Sequence, residues 1–250
     1  MPLRLQRSAF LFVVGTLFLL HASAQSPPVK QRPPEGGMEQ RLISILIPST
    51  PNAPFTATVN TESARQLADG TTITVKNHRL IARDKAGRIF QERRLLVPDD
   101  GKHDSFITQI EISDPVAHNL YLCTPRERTC QLELFTVPAF DPPATGAGPN
   151  REDLGKRLIN GVETIGTLET RVIESGAIGN DSPIVVKLET WYSPQLSVNL
   201  VTKRQDPRSG NQSFEVSDLT LGEPADAQFR VPNGYRVIDL KQTPSTTVSK

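Results

Sequence analysis

The sequence predicts a mostly β protein, one large antiparallel sheet that is curved or open like a half-barrel, with one or two short helices. Three observations carry that expectation. From Phe55 onward apolar residues alternate with polar ones, the period of a strand with one buried face. Turn formers recur every 8 to 15 residues, among them Asp69-Gly70 and Asp84-Lys85-Ala86-Gly87, and such turns join antiparallel neighbours. The one helix signal of note is "GEPADAQF", where Pro224 suits a first helical position and at most two turns follow.

Arg4 and Arg7 precede a twelve-residue apolar run, Ala9 to Leu20, and Ala22-Ser23-Ala24 ends it with small residues. That is the layout of a secretory signal peptide (1–24) cleaved between Ala24 and Gln25. As a helix the run would span only about 18 Å against a hydrocarbon core of about 30 Å, so no transmembrane anchor is expected. Gln25 stands where a lipoprotein would carry cysteine. Residues 25–54 form a Pro-rich leader in which "RLISILIP" (41–48) is a short strand candidate.

A single β domain is expected over 55–240, in two halves (55–139 and 153–240) joined by a Pro/Gly-rich loop, 140–152, with a disordered tail at 241–250. Phe55, Ala57 and Val59 alternate toward the Asp69-Gly70 hairpin, and Ile73 and Val75 continue the pattern on the return. "RIFQERR" (88–94) predicts an exposed strand. Phe106, Thr108, Ile110 and Ile112 share one face of the next. In the second half "VETIGTLETRVI" is strand-like, and Asp206-Pro207-Arg208-Ser209-Gly210 closes a hairpin with Pro in the second turn position.

Cys123 and Cys130 flank a Pro-containing turn in "YLCTPRERTC", which sets them opposite one another. Export to an oxidising compartment makes a disulfide the expected state.

Trp191, the one tryptophan, sits beside Tyr192 before a Ser193-Pro194 turn. Alternation sends the pair to opposite faces. Tyr192 then shares the face of Ile184, Val186 and Leu188 in the core, and Trp191 the outer or rim face of Lys187 and Glu189. The alternative puts Trp191 at the mouth of a ligand cavity lined by Ile184, Val186, Leu188, Leu196, Val198 and Leu200, with Tyr192 nearby.

Composition narrows the function classes. The net charge of +1, less Arg4 and Arg7, leaves −1 on the mature chain, with both signs interleaved, which gives no footprint for nucleic acid. His78, His103 and His118 are far apart, without metal-ligand spacing, and are expected at the surface. Neither a nucleophile elbow, a P-loop nor a dinucleotide fingerprint is present. No cofactor or metal is expected, and an enzyme is the third reading. Asn180-Asp181-Ser182 and Asn211-Gln212-Ser213 are sequons in loop-like stretches.

"LINGVETIGTLETRVIESGAIGNDSPI", "ETWYSPQLSV", "DPRSG" and "EPADAQFRVPNGYRV" occur in this order much as in a large family of secreted bacterial proteins of uncharacterised function, which the chain resembles from about Phe55 to Val237. It departs from that pattern at "IFQERR" and in the cysteine pair. More distantly, the strand layout and "FRVPNGY" resemble the open half-barrels of LolA-like lipoprotein carriers and RseB-like envelope-stress regulators. That resemblance implies a concave apolar face able to hold acyl chains or a lipoprotein tail. Two functions follow as expectations: a secreted, soluble periplasmic binding protein for a lipid or other hydrophobic ligand, or a non-enzymatic module that docks an envelope protein partner.

Overall fold

The first hairpin shows how local chemistry sets the chain path. In a computed structural model, which describes residues 45–136 and 150–241, β1 (Phe55–Gln66) and β2 (Thr72–Arg83) pair without interruption from Phe55 opposite Arg83 to Gln66 opposite Thr72. Between them Gly70 adopts φ +85°, Leu67 N–H donates to the Thr71 carbonyl at 2.7 Å, and Thr71 N–H donates to Asp69 Oδ1 at 2.9 Å. The same logic continues through β3 (Ile89–Arg94), β4 (Val97–Pro98), β5 (Ile107–Asp114), β6 (Asn119–Thr124) and β7 (Thr129–Leu134). The second series is β8 (Asn150–Ile159), β9 (Val162–Ile173), β10 (Ile184–Ser193), β11 (Val198–Asp206) and β12 (Gly210–Leu221), followed by a 3-10 turn, Asp226–Phe229, and β13 (Arg236–Asp239).

All thirteen strands belong to one curved, open sheet in the order β13-β7-β6-β5-β3-β2-β1-β12-β11-β10-β9-β8, with β4 paired to β2. It consists of two meanders joined where β1 pairs with β12. Every ladder is antiparallel except that of β13 with β7. The outermost strand β8 presents Arg151, Glu152, Asp153, Lys156 and Arg157, all but unburied, a charge density that discourages edge-to-edge pairing.

Alternation splits the packing between the two faces of the sheet. Ile81 and Ile89 join one cluster with Phe55, Val59, Leu200 and Phe214, whereas their chain neighbours Ala82 and Phe90 join the other with Ile112 and Phe229. The second face is capped by the 3-10 turn. Arg88 stacks on Phe229 with its guanidinium 4.9 Å from the ring centre and reaches Asp226 at 2.7 Å.

Several expectations change. "RLISILIP" is not a strand over its described part: Ile45 and Ile47 are buried and Leu46 exposed, so alternation is present but no ladder partner is. The stretch is instead an extended strap on the first face. Strand β3 is not exposed, because it lies between β2 and β5 and buries Phe90 and Glu92. Ile73, beyond the covered part of β2, is exposed. The helix shrinks to one 3-10 turn, with Pro224 ahead of its Ala225 cap. Strand β8 begins at Asn150, so residues 150–152 are ladder rather than loop. Asn211 lies in β12, and Asn180, though in a loop, spends its amide on the carbonyls of Glu174 at 2.9 Å and Ser182 at 2.8 Å. The expected signal peptide and Ala24–Gln25 junction, residues 25–44, 137–149 and 242–250 lie outside the described residues. Among the described residues no helix is long and apolar enough to cross a membrane.

Cys123 and Cys130 face each other across the β6/β7 ladder and form a disulfide with their Cα atoms 3.9 Å apart. So small a ring limits the unfolded chain only modestly. Its reduction should lower unfolding free energy by about 2.5 kcal/mol, read by urea denaturation with and without reductant.

The Asp206 turn ties pH to stability. Arg208 donates through Nε and Nη2 to the Asp206 carboxylate at 2.9 and 2.7 Å, and Arg204 Nη2 adds a contact at 2.8 Å. The Arg208 hydrogen bonds hold this carboxyl far below its ordinary 3.8. A group depressed on folding stabilises fully above its unfolded pKa and loses that contribution as pH falls through the folded value. Thermal midpoints of the native protein should therefore decline more steeply below about pH 4 than those of Asp206→Asn, and the two curves should converge in strong acid. Parallel curves would remove this role.

Candidate functional site: the strap face and its cavities

Arg79, Ile81 and Arg83 are spaced at i, i+2 and i+4 on β2, so all three point to the strap. Ile81 packs in the core. The two arginines flank it and bind backbone. Arg83 is 0% exposed. Its Nε and Nη2 donate to the Ala53 carbonyl at 3.0 and 2.8 Å, Nη1 to that of Pro48 at 2.9 Å, and Nη2 also to that of Leu196 at 2.6 Å. The guanidinium lies 5.1 Å from the centre of the Phe55 ring. Arg79 donates to Gln91 Oε1 at 3.0 Å and to the Ile45 carbonyl at 3.2 Å. Burial lowers both guanidinium pKa values to about 10, and for Arg79 the nearby charge of Arg93 adds to the effect. Both remain cations at neutral pH. Gly87, at φ +85°, lets the strap close over the Asp84–Gly87 turn, since a Cβ there would meet the Ser49 carbonyl oxygen at 3.0 Å.

Two cavities adjoin on this face and share Arg93. The first, about 220 Å³, lies between Ile45–Ser49 of the strap and Ile89, Gln91 and Glu111. The second, about 350 Å³ and open to solvent, is bounded by Arg79, Arg94, Leu95, Leu96 and Phe214. Its volume falls within the range of small-molecule sites, about 300–1,000 Å³. Arg93 pairs with Glu111 at 3.0 Å, and Arg94 with Glu92 at 2.8 Å.

A larger groove of about 540 Å³ lies at Glu62, Lys76, Asp99 and His103. Lys76 is held between Asp99 at 2.8 Å and Glu62 at 3.3 Å, and hydrogen bonding to these carboxylates, Asp99 first, raises its pKa. A lysine so held stays protonated and serves as neither base nor nucleophile. His103 binds Asp100 at 2.9 Å. His78 and His118 are exposed, and no group of three His, Cys, Asp or Glu among the described residues is arranged to hold a metal.

The residues expected to line a ligand cavity are placed otherwise. Leu196, Val198 and Leu200 are buried in the core with Ile45, Ile47 and Phe55, so they fill space rather than border it. Ile184, Val186 and Leu188 are half-buried. None of the six borders either strap-face cavity. For Leu196, Val198 and Leu200 the reason is the strap, whose isoleucines pack in the same cluster.

The aromatic pair is reversed: Trp191 is 7% exposed and Tyr192 40%. Gly166 stands directly opposite Trp191 in the β9/β10 ladder, and the missing side chain makes a socket for the indole. Arg157 covers it, 3.6 Å from the ring centre, and Nε1 donates to Glu189 Oε1 at 2.6 Å. A bulge in the β10/β11 ladder between Trp191 and Tyr192 re-aims the side chains there. Burial along β10 accordingly passes from even-numbered positions at 184–188 to odd-numbered ones at 191–193.

The arginines of the strap face were missing from the sequence-based site. The available signal was "HRLIAR": two arginines in register with a core isoleucine on one strand face. Basic residues at apolar-face positions imply buried acceptors.

No family model matches the chain, and no curated protein matches it. Solved structures with a similar strand layout include that of the Pseudomonas aeruginosa MucA/MucB complex, 13% identical with a TM-score of 0.44 over 76% of this chain and 59% of that one. The chain thus spans less than two thirds of that neighbour. A LolA superfamily protein from Nitrosomonas europaea is 10% identical, with a TM-score of 0.29 over 72% of this chain and 91% of its own. The Mycobacterium tuberculosis lipoprotein LppX is 14% identical, with a TM-score of 0.25 over 72% of this chain and 90% of its own. Two of these neighbours, MucB and the LolA superfamily protein, correspond to the second of the two resemblances drawn from the sequence.

Proposed function

We propose that the protein is a secreted, non-enzymatic envelope binding protein that holds a lipid or another extended hydrophobic ligand on the Arg79/Arg93 face of its sheet. One observation carries this reading: two cavities, about 220 and 350 Å³, share Arg93, and the smaller is walled by a strap whose apolar side chains are seated in the core. Leu95, Leu96 and Phe214 supply apolar wall, and the guanidiniums supply the few polar groups that fix orientation. The N-terminal signal pattern supports export. The test is native mass spectrometry of the protein purified from its own envelope fraction, followed by organic extraction. A bound acyl species released on unfolding is the expected result, and a clean apo mass would overturn the carrier reading.

A second reading, docking of a protein partner, is favoured by the strap. Ile45 and Ile47 are buried while Arg79 and Arg83 take up backbone carbonyls, which is how an extended foreign peptide would also be held. A clean apo mass accompanied by a co-purifying polypeptide would favour it.

A further inference from the structure

We propose that the cavity bounded by Arg79, Arg93 and Arg94 is a headgroup site for an anionic amphiphile of the acyl glycerol phosphate class. The phosphate would lie against the guanidiniums and the tail along Leu95, Leu96 and Phe214. The inference rests on the ligand-binding reading above and deepens it by specifying the headgroup.

Three guanidiniums border the cavity and no carboxylate does. Glu111 and Glu92, which pair with Arg93 and Arg94, stand outside its lining. Two of the three are already ion-paired, so a ligand phosphate would add to those pairs rather than replace them, and guanidinium forks match phosphate oxygens in geometry. Burial lowers the Arg79 pKa, with the charge of Arg93 acting in the same direction and that of Glu111 against it. The wall also carries an acceptor in want of a donor. Asn77 donates from Nδ2 to the Arg94 carbonyl at 2.8 Å, while its buried Oδ1 has no hydrogen-bond partner among the described residues. A glycerol hydroxyl would supply that donor. The same cavity offers Leu95, Leu96 and Phe214, which a free phosphate would not use.

The test is isothermal titration of the mature protein and Arg93→Gln with 1-palmitoyl glycerol 3-phosphate, with uncharged 1-palmitoyl glycerol and with glycerol 3-phosphate. Arg93 is half-exposed and outside the core, so the variant should fold. The native protein should prefer the charged amphiphile over the neutral one by about tenfold or more, and Arg93→Gln should bring that ratio near one. Equal binding of the two amphiphiles, or a ratio unchanged in Arg93→Gln, would overturn the headgroup site while leaving the hydrophobic-ligand reading in place. Glycerol 3-phosphate binding as tightly as its palmitoyl form would overturn the amphiphile assignment. Binding of neither amphiphile would overturn both.

Discussion

Replacing Arg83 with methionine is expected to destabilise the protein by about 4 kcal/mol. In a chain of this size that lowers the thermal midpoint by on the order of 10 °C. Two effects compete. A buried cation is costly to desolvate, and exchanging a whole buried ion pair for apolar residues is often neutral. Here the partners are the carbonyls of Pro48, Ala53 and Leu196, which remain when the guanidinium goes. Each loses a charge-assisted bond in a site from which water is excluded, so loss of satisfaction outweighs relief of desolvation. The strap and the turn before β11 are both tied to β2 by this one side chain, and both should loosen. Arg83→Lys keeps the charge without the planar fork and should cost roughly half as much. Urea unfolding followed by circular dichroism reads the difference. A loss below about 1 kcal/mol for Arg83→Met would show that the strap is held mainly by the burial of Ile45 and Ile47 and by Arg79.

The same arginine marks the limit of what was legible in the sequence. Period-2 alternation and turn residues are local signals. They located the hairpin at Asp69-Gly70, the turns at Asp84–Gly87 and Asp206–Gly210, and the cross-strand cysteines. What failed depended on partners distant in sequence. Ile45 and Ile47 alternate as a strand would, yet the carbonyls of Ile45 and Pro48 are met by arginine side chains more than thirty residues on. "IFQERR" carries four polar residues of six but is covered on both sides because the first meander folds it inward. Its charges are compensated locally by Arg94 on Glu92 and Arg93 on Glu111. The surroundings of the candidate site residues were hidden for the same reason. The apolar faces of β10 and β11 were visible, but not that the strap would turn Leu196, Val198 and Leu200 into core.

Trp191→Ala should cost about 4 kcal/mol, the usual range for deleting a large buried aromatic plus the lost Arg157 stacking. More informative is its coupling to Gly166. A Cβ at Gly166 would lie 2.7 Å from two atoms of the indole and 2.9 Å from Leu154 Cβ. Neither neighbour can retreat easily, because the ring is pinned between Arg157 and the Nε1 bond to Glu189. Gly166→Ala alone should therefore cost about 2 kcal/mol by overpacking. With the indole gone the principal clash is gone too, and a strand alanine is otherwise preferable to glycine. In the Trp191→Ala background the Leu154 contact remains, so Gly166→Ala should cost about 1 kcal/mol, giving a coupling of about 1 kcal/mol between residues 25 positions apart in sequence. Additive costs would mean that the glycine serves the backbone of β9 rather than the indole. A coupling of that size would establish Gly166 as the socket of the indole, a cross-strand fit that alternation alone could not anticipate.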